Sequence, residues 1–255
     1  MKIIKIIASF LLILGILVLM VWAAVRAKEH KCTEIAIEIH ASKEPALLSK
    51  SDILSLLERN GVEWKGKPIK EIDLSSIKNL LSRENYIKSV DKVHFLGSKL
   101  QVEVSLYNIL MELESQDGKK FLLDTEGVYL PYSPKTGSDI IIATGFIPYT
   151  FRKKETVAQA DKELYELFSV ASLIREDSFY AALFHKLYMT DKGEIVLYPS
   201  VGQLPVLFGT LQDAESKIKT LKYMYEKVIP YMDEDKYAQL DVRFKNRIVA
   251  TKTKT

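Results

Sequence analysis

Residues 6–25, IIASFLLILGILVLMVWAAV, contain no charged side chain. A helix of about 20 apolar residues spans the hydrocarbon core of a bilayer, so this run constrains the chain more than any other feature. The rest must then fold on one side of a membrane. Trp22 lies near one end of the run, where an indole ring suits the interface. A cleaved signal peptide is the competing reading, because Lys2 and Lys5 precede the run and Ala23, Ala24 and Ala27 are small. Signal-peptide apolar regions run about 7–15 residues, and this one is longer. The expectation is an uncleaved single-pass anchor over 6–25, preceded by a short cytoplasmic tail at 1–5. Charge does not orient it, since Lys2 and Lys5 stand on one side and Arg26, Lys28 and Lys31 on the other. With five residues before the run, N-terminus in and C-terminus out is the economical choice. Cys32 follows His30 and Lys31 rather than small residues, which argues against lipidation.

Removing residues 1–27 takes away Lys2, Lys5 and Arg26 and no acid, leaving 33 basic against 33 acidic side chains. A neutral exported part argues against nucleic acid as a partner. One cysteine excludes an intramolecular disulfide. Catalytic and cofactor motifs are missing: there is no G-x-S-x-G, no G-x-x-x-x-G-K-[ST] and no G-x-G-x-x-G. His30, His40, His94 and His185 show no metal-ligand spacing. Asp124 and Glu126 are the kind of carboxylate pair that glycosidases use, but they fall on an expected turn. No cofactor, metal or catalytic residue is expected.

Past the run, TEIAIEI (Thr33–Ile39) alternates in polarity and reads as a strand. EPALLSKSDILSLLERNG reads as a helix capped by Ser49 or Ser51, with Ile53, Leu54, Leu56 and Leu57 apolar and Gly61 at its end. DLSSIKNLLSREN reads as a second helix, with Asp73 as N-cap and Leu74, Ile77, Leu80 and Leu81 as its stripe. YIKSVDKVHFLGSKLQVEVSL places Val93 and Phe95 before a Gly97–Ser98 turn and Leu100, Val102, Val104 and Leu106 after it, a hairpin pattern. Strand, helix, helix, strand, strand makes a small α+β domain with both helices on one sheet face.

The second half is richer in strands. FLLDTEGVYLPYS reads as two strands around a Thr125–Gly127 turn, and DIIIATGF as another. KETVAQADKELYELFSVASLI reads as a helix with Val157, Ala160, Leu164, Leu167, Phe168 and Ala171 on its stripe. YAALFHKLYMTDKGEIVLYPSVGQLPVLFG reads as strand, Asp-Lys-Gly turn, strand, loop and strand, and DAESKIKTLKYMYEKVIPYM as a further helix. Last comes LDVRFKNRIV (Leu240–Val249), which alternates Leu240, Val242, Phe244 and Ile248 against Asp241, Arg243, Lys245 and Arg247. That is a half-buried strand. Its apolar side chains can fill a core while its edge stays free for a partner, and Asp241 and Arg243 can form a surface pair worth about 0–1 kcal/mol.

Several of these segments resemble known families. ENYIKSVDKVHFLGSKLQVEV resembles the end of a POTRA (polypeptide-transport-associated) domain, with Tyr86, Ile87, Lys88, Ser89 and Val90 in its aromatic-hydrophobic stretch. LLDTEGVYLP is similar to the opening of the second domain of the FtsQ/DivIB cell-division family. LFGTLQDAESKIKTLKYMYEKVI resembles that family's strand–Gly–helix. LDVRFKNRIV resembles its closing D-L-R-F/Y strand at Asp241, Val242, Arg243 and Phe244. VSLYNIL stands where the family often has Glu-Arg-x-Pro.

The resemblance implies an α+β architecture. A transmembrane helix is followed by a POTRA-like β-α-α-β-β domain at 30–108, an FtsQ-type mixed β domain with two flanking helices at 109–251, and a basic tail at 252–255. It implies a non-enzymatic bitopic scaffold in the inner membrane, with periplasmic C-terminal domains, acting at the division septum. Its implied partners are FtsB-like and FtsL-like single-pass coiled-coil proteins and other divisome components, bound by strand addition. Asp241, Arg243, Phe244, Lys245 and Arg247 would carry the contact, and septal peptidoglycan synthesis would be under its control. The alternatives are a membrane-anchored POTRA protein of envelope transport or assembly, and a tethered cell-wall enzyme.

Overall fold

The computed structural model describes residues 13–22, 30–41, 47–137, 140–149, 151–157, 161–244 and 247–253. Of the apolar run, only 13–22 is described, as a helical stretch with every residue exposed. Among the described residues no helix is long and apolar enough to cross a membrane. The chain divides into two compact units, Met1–Ala41 with Leu48–Leu106, and Ser42–Leu47 with Tyr107–Thr255.

The first unit runs β1 (Glu34–His40), α1 (Lys50–Arg59), α2 (Leu74–Ser82), β2 (Ile87–Leu96) and β3 (Lys99–Leu106). Its sheet has the order β1-β3-β2, with β1 parallel and β2 antiparallel to β3. Ser49 opens α1 by a reciprocal cap: its hydroxyl accepts from the Asp52 N–H, and the Asp52 carboxylate accepts from the Ser49 N–H at 2.8 Å. Two donors that the first turn would orphan are thereby satisfied. Asp73 opens α2, its Oδ1 accepting from the N–H groups of Ser75 and Ser76. Asp73→Ala should cost about 1 kcal/mol, read as a lower urea midpoint at unchanged m. An unmoved midpoint would deny the cap any role. Strand alternation sends Leu100, Val102 and Val104 inward, fully buried with Leu57, Ile77 and Leu81 of the helices. Lys99, Gln101, Glu103 and Ser105 are left on the other face.

The second unit is built on one nine-stranded sheet. Its elements are β4 (Ile109–Glu114), β5 (Lys120–Asp124), β6 (Tyr129–Pro131), β7 (Ile141–Gly145), α3 (Lys162–Glu176), α4 (Ser178–Leu183), β8 (Phe184–Met189), β9 (Ile195–Pro199), β10 (Val206–Gly209), α5 (Ala214–Lys227), β11 (Tyr237–Asp241) and β12 (Val249–Lys252). The strand order is β12-β11-β10-β9-β8-β7-β4-β5-β6. One face buries Met111, Phe121, Ala143, Leu187, Leu197, Val206 and Leu240 against Leu164, Leu167, Ile174 and Leu221 of the helices.

Three features differ from the expectation. Strand β4 was not anticipated, because five of its six residues are buried and a strand enclosed on both faces shows no alternation. Tyr180–Leu183 belongs to helix α4 rather than to a strand. Asp177 Oδ1 caps it through the Phe179 N–H at 2.8 Å, and the buried Tyr180 donates its hydroxyl to the Ile218 carbonyl at 2.6 Å. Among the described residues three helices therefore pack on the sheet, not two. Helix α3 begins only at Lys162, so Val157 is buried ahead of it; Ala160 lies outside the described residues. The third difference is that Leu240–Val249 is not one strand. β11 ends at Asp241, and β12 returns antiparallel along it.

Candidate partner-binding edge

The two edges of the nine-stranded sheet are unequal. β6 is strapped by residues 152–157. The Tyr129 N–H donates to the Glu155 carbonyl (2.8 Å), the Lys154 N–H to Tyr129 (3.0 Å) and the Val157 N–H to Gly127 (2.8 Å). At the opposite edge, β12 pairs with β11 through Asp241↔Val249, Leu240↔Ala250 and Gln239↔Thr251. Among the described residues no strand pairs with its outer side. The Thr253 N–H donates back to the Lys236 carbonyl at 3.0 Å, so alternation along the strand turns the N–H groups of Ala250 and Lys252 outward. Val249 is 46% exposed, Thr251 and Lys252 are exposed, and Ala250 packs on the core. A short strand carrying a lysine blunts an edge, yet its unpaired N–H and C=O groups remain a template for an added strand.

The position of that edge depends on an ion cluster where the chain leaves β11. Asp241 is 7% exposed. It accepts from the Arg243 backbone N–H (3.0 Å), from Nε (3.1 Å to Oδ1) and from Nη2 (2.7 Å to Oδ2). Arg243 Nη1 reaches Glu194 Oε1 at 2.7 Å, just ahead of β9. A bidentate guanidinium–carboxylate pair fixes geometry as well as charge. The stem of Arg243 crosses Gly209, where a Cβ would lie 2.8 Å from Arg243 Cγ, and Gly209 holds φ +77°. Lys217 of α5, itself buried, donates to the Thr210 carbonyl at 2.8 Å and lies 4.8 Å from the Phe208 ring centre. Burial pushes the Asp241 carboxyl up, but the Arg243 hydrogen bonds and the charges of Arg243 and Lys217 outweigh it, and the group ends below its ordinary range. Burial likewise pulls the Lys217 ammonium down, against the charges of Asp213, Glu166 and Asp241.

The expected contact residues therefore separate. Asp241 and Arg243 are brought together as a clamp, with Asp241 buried and the partly exposed Arg243 turned to Glu194. Phe244 is 52% exposed and Arg247 is exposed, and the Arg247 N–H donates to the Phe244 carbonyl at 3.2 Å in the connection between β11 and β12. Lys245 lies outside the described residues. The free edge expected along Leu240–Val249 is corrected: β11 is enclosed by β10 and β12, and the open edge belongs to Val249–Lys252. Asn246, a turn-favouring residue type in mid-run, was the available signal. Glu194, Gly209 and Lys217 gave none, being remote in sequence.

A family model described as FtsQ/DivIB, C-terminal related, matches residues 111–251, and a POTRA-like domain model matches residues 30–105. No curated protein matches the chain.

Proposed function

Because the chain belongs to the FtsQ/DivIB C-terminal-related family, we propose that it is a non-enzymatic, bitopic scaffold of the bacterial division machinery. An extended segment of an FtsB-like or FtsL-like single-pass protein adds along the outer side of β12. Residues 6–25 anchor the chain in the inner membrane, with 1–5 cytoplasmic and both folded units periplasmic at the septum, where it helps control peptidoglycan synthesis. The observation that carries this reading is the unequal treatment of the two sheet edges: β6 is strapped while β12 is open. Main-chain hydrogen bonds supply affinity in strand addition, and side chains on alternate positions supply selectivity. Val249, with Phe244 and Arg247 beside it, offers an apolar and basic rim for an acidic, apolar partner segment.

The test is site-specific photocrosslinking in the native cell, with the reactive side chain at Val249, Thr251 or Phe244. A small single-pass coiled-coil protein should be captured. Lys252→Pro removes an outward N–H and should lower capture by roughly fivefold to tenfold, the worth of about one hydrogen bond. Lys252→Ala should retain it. A folded Lys252→Pro protein that captures the partner at wild-type levels would sink the strand-addition reading.

A further inference from the structure

The outer face of the three-stranded sheet gathers donors that the linear sequence keeps far apart. Glu38 and His40 lie two apart on β1 and so share a face. The parallel register sets Glu38 directly opposite Glu103 and His40 opposite Ser105. One ligand atom from each of Glu38, His40 and Glu103 lies within 4.8 Å of the others. We propose that this face binds a divalent transition cation, with Zn2+ the species its donors suit best, through Glu38, His40 and Glu103. The site is independent of the strand-binding role.

Electrostatics on this face favour a cation. Like charges directly opposed across a strand pair destabilise it, and Glu38 and Glu103 are so opposed. A register shift in β2 between Val90 and Lys92 adds a third carboxylate. Val90 points inward, so the extra residue leaves both Asp91 and Lys92 facing out, as bulges commonly re-aim side chains. Asp91 is held there by the hydroxyls of Ser89 and Ser105, each donating at 2.6 Å. Lys92 is the lysine that reaches these carboxylates, its Nζ 2.8 Å from Glu103 Oε2 and its side chain 62% exposed, while Lys99 on the same face lies 3.1 Å from Glu34. A bound divalent ion relieves this excess, and Lys92 is free to swing aside.

The donor types select among cations. An all-oxygen set would suit Ca2+ or Mg2+. One imidazole with carboxylates belongs to the Zn2+, Ni2+ and Cu2+ group, with Zn–N and Zn–O distances of about 2.0–2.2 Å. Three ligands from two adjacent strands leave a fourth position for water.

The experiment uses the tag-free full chain in detergent. Calorimetric titration with ZnCl2 should give one site, Zn2+ should raise the unfolding temperature, and CoCl2 should produce visible d–d absorption. His40→Ala and Glu103→Gln, both on an exposed face, should keep the far-ultraviolet circular dichroism of the wild type. Each should weaken Zn2+ by roughly tenfold or more, about 1.4 kcal/mol, and remove the Co2+ bands. Lys92→Ala should bind at least as tightly as wild type, because it removes the competing cation. A wild-type chain without Zn2+ heat and Co2+ bands overturns the proposal, as does binding undiminished in both His40→Ala and Glu103→Gln.

Discussion

Gly145→Ala should destabilise the nine-stranded unit by about 3 kcal/mol or more. Gly145 closes β7 with φ +107° and pairs with Met189 of β8. A Cβ there would lie 2.2 Å from the Met189 carbonyl oxygen and 2.9 Å from the Tyr188 ring. A left-handed conformation alone costs a non-glycine residue about 1–3 kcal/mol. The clash adds to it, because backbone rather than a mobile side chain must retreat. The Met189 carbonyl also accepts from the Phe146 N–H at 2.9 Å, and losing that bond costs about 1 kcal/mol. Gly118, in the same unit, is the control: its φ is +76°, but a Cβ there meets nothing within 4 Å. Gly118→Ala should therefore cost only the conformational part, about 1 kcal/mol. Urea unfolding of the two variants separates the contributions. Equal midpoints would mean that β7 and β8 part at no cost.

Arg243→Ala is the second large effect, at about 2–3 kcal/mol. Removing one partner of a buried ion pair costs about 3–5 kcal/mol because the other charge stays buried and uncompensated. The Arg243 side chain is 38% exposed, so solvent screening lowers the figure. Asp241 would keep the backbone N–H of residue 243 and the charge of Lys217. Asp241→Asn removes the charge itself and leaves Arg243 its bond to Glu194, so it should cost less. The double variant Asp241→Asn with Arg243→Ala measures the coupling. The pH dependence follows from the direction of the shift. Asp241 titrates lower folded than unfolded, so its contribution is complete above an ordinary carboxyl value near pH ~4. It fades as pH falls through the lower folded value. Arg243→Ala should thus bring acid unfolding to a higher pH than in the wild type. Coincident acid transitions would show that the clamp does not stabilise the fold.

Where one face of an element is buried and the other wet, the fold was legible from residue pattern. The Ser49 and Asp73 caps, the hairpin at Gly97, the turn at Gly127 and helix α5 all follow from short-range rules that no tertiary contact overrode. β4 was not legible, because burial on both sides erases the period that marks a strand. Helix α4 was hidden because aromatic and apolar residues near Tyr180 suit a strand as well as a helix. The tertiary bond from Tyr180 to Ile218 accompanies the outcome. The candidate edge was half legible. Apolar alternation located the segment, but its break after Asp241 depends on a clamp whose other members, Glu194, Gly209 and Lys217, come from the turn ahead of β9, from β10 and from α5. The cation face had no linear signature, since Glu38 and Glu103 meet only through parallel pairing of β1 with β3.

Strand order carries a consequence for timing. From β7 to β12, strands consecutive in the chain are neighbours in the sheet. A ribosome working from the amino terminus therefore delivers this flank one strand at a time, each new arrival covering the previous one. A half-synthesised unit presents β9 or β10 at its margin, with different side chains and no Asp241–Arg243 clamp. The surface proposed to receive a partner exists only once Val249–Lys252 has emerged and folded back. The proposed partner capture would thereby be ordered after completion of the sheet.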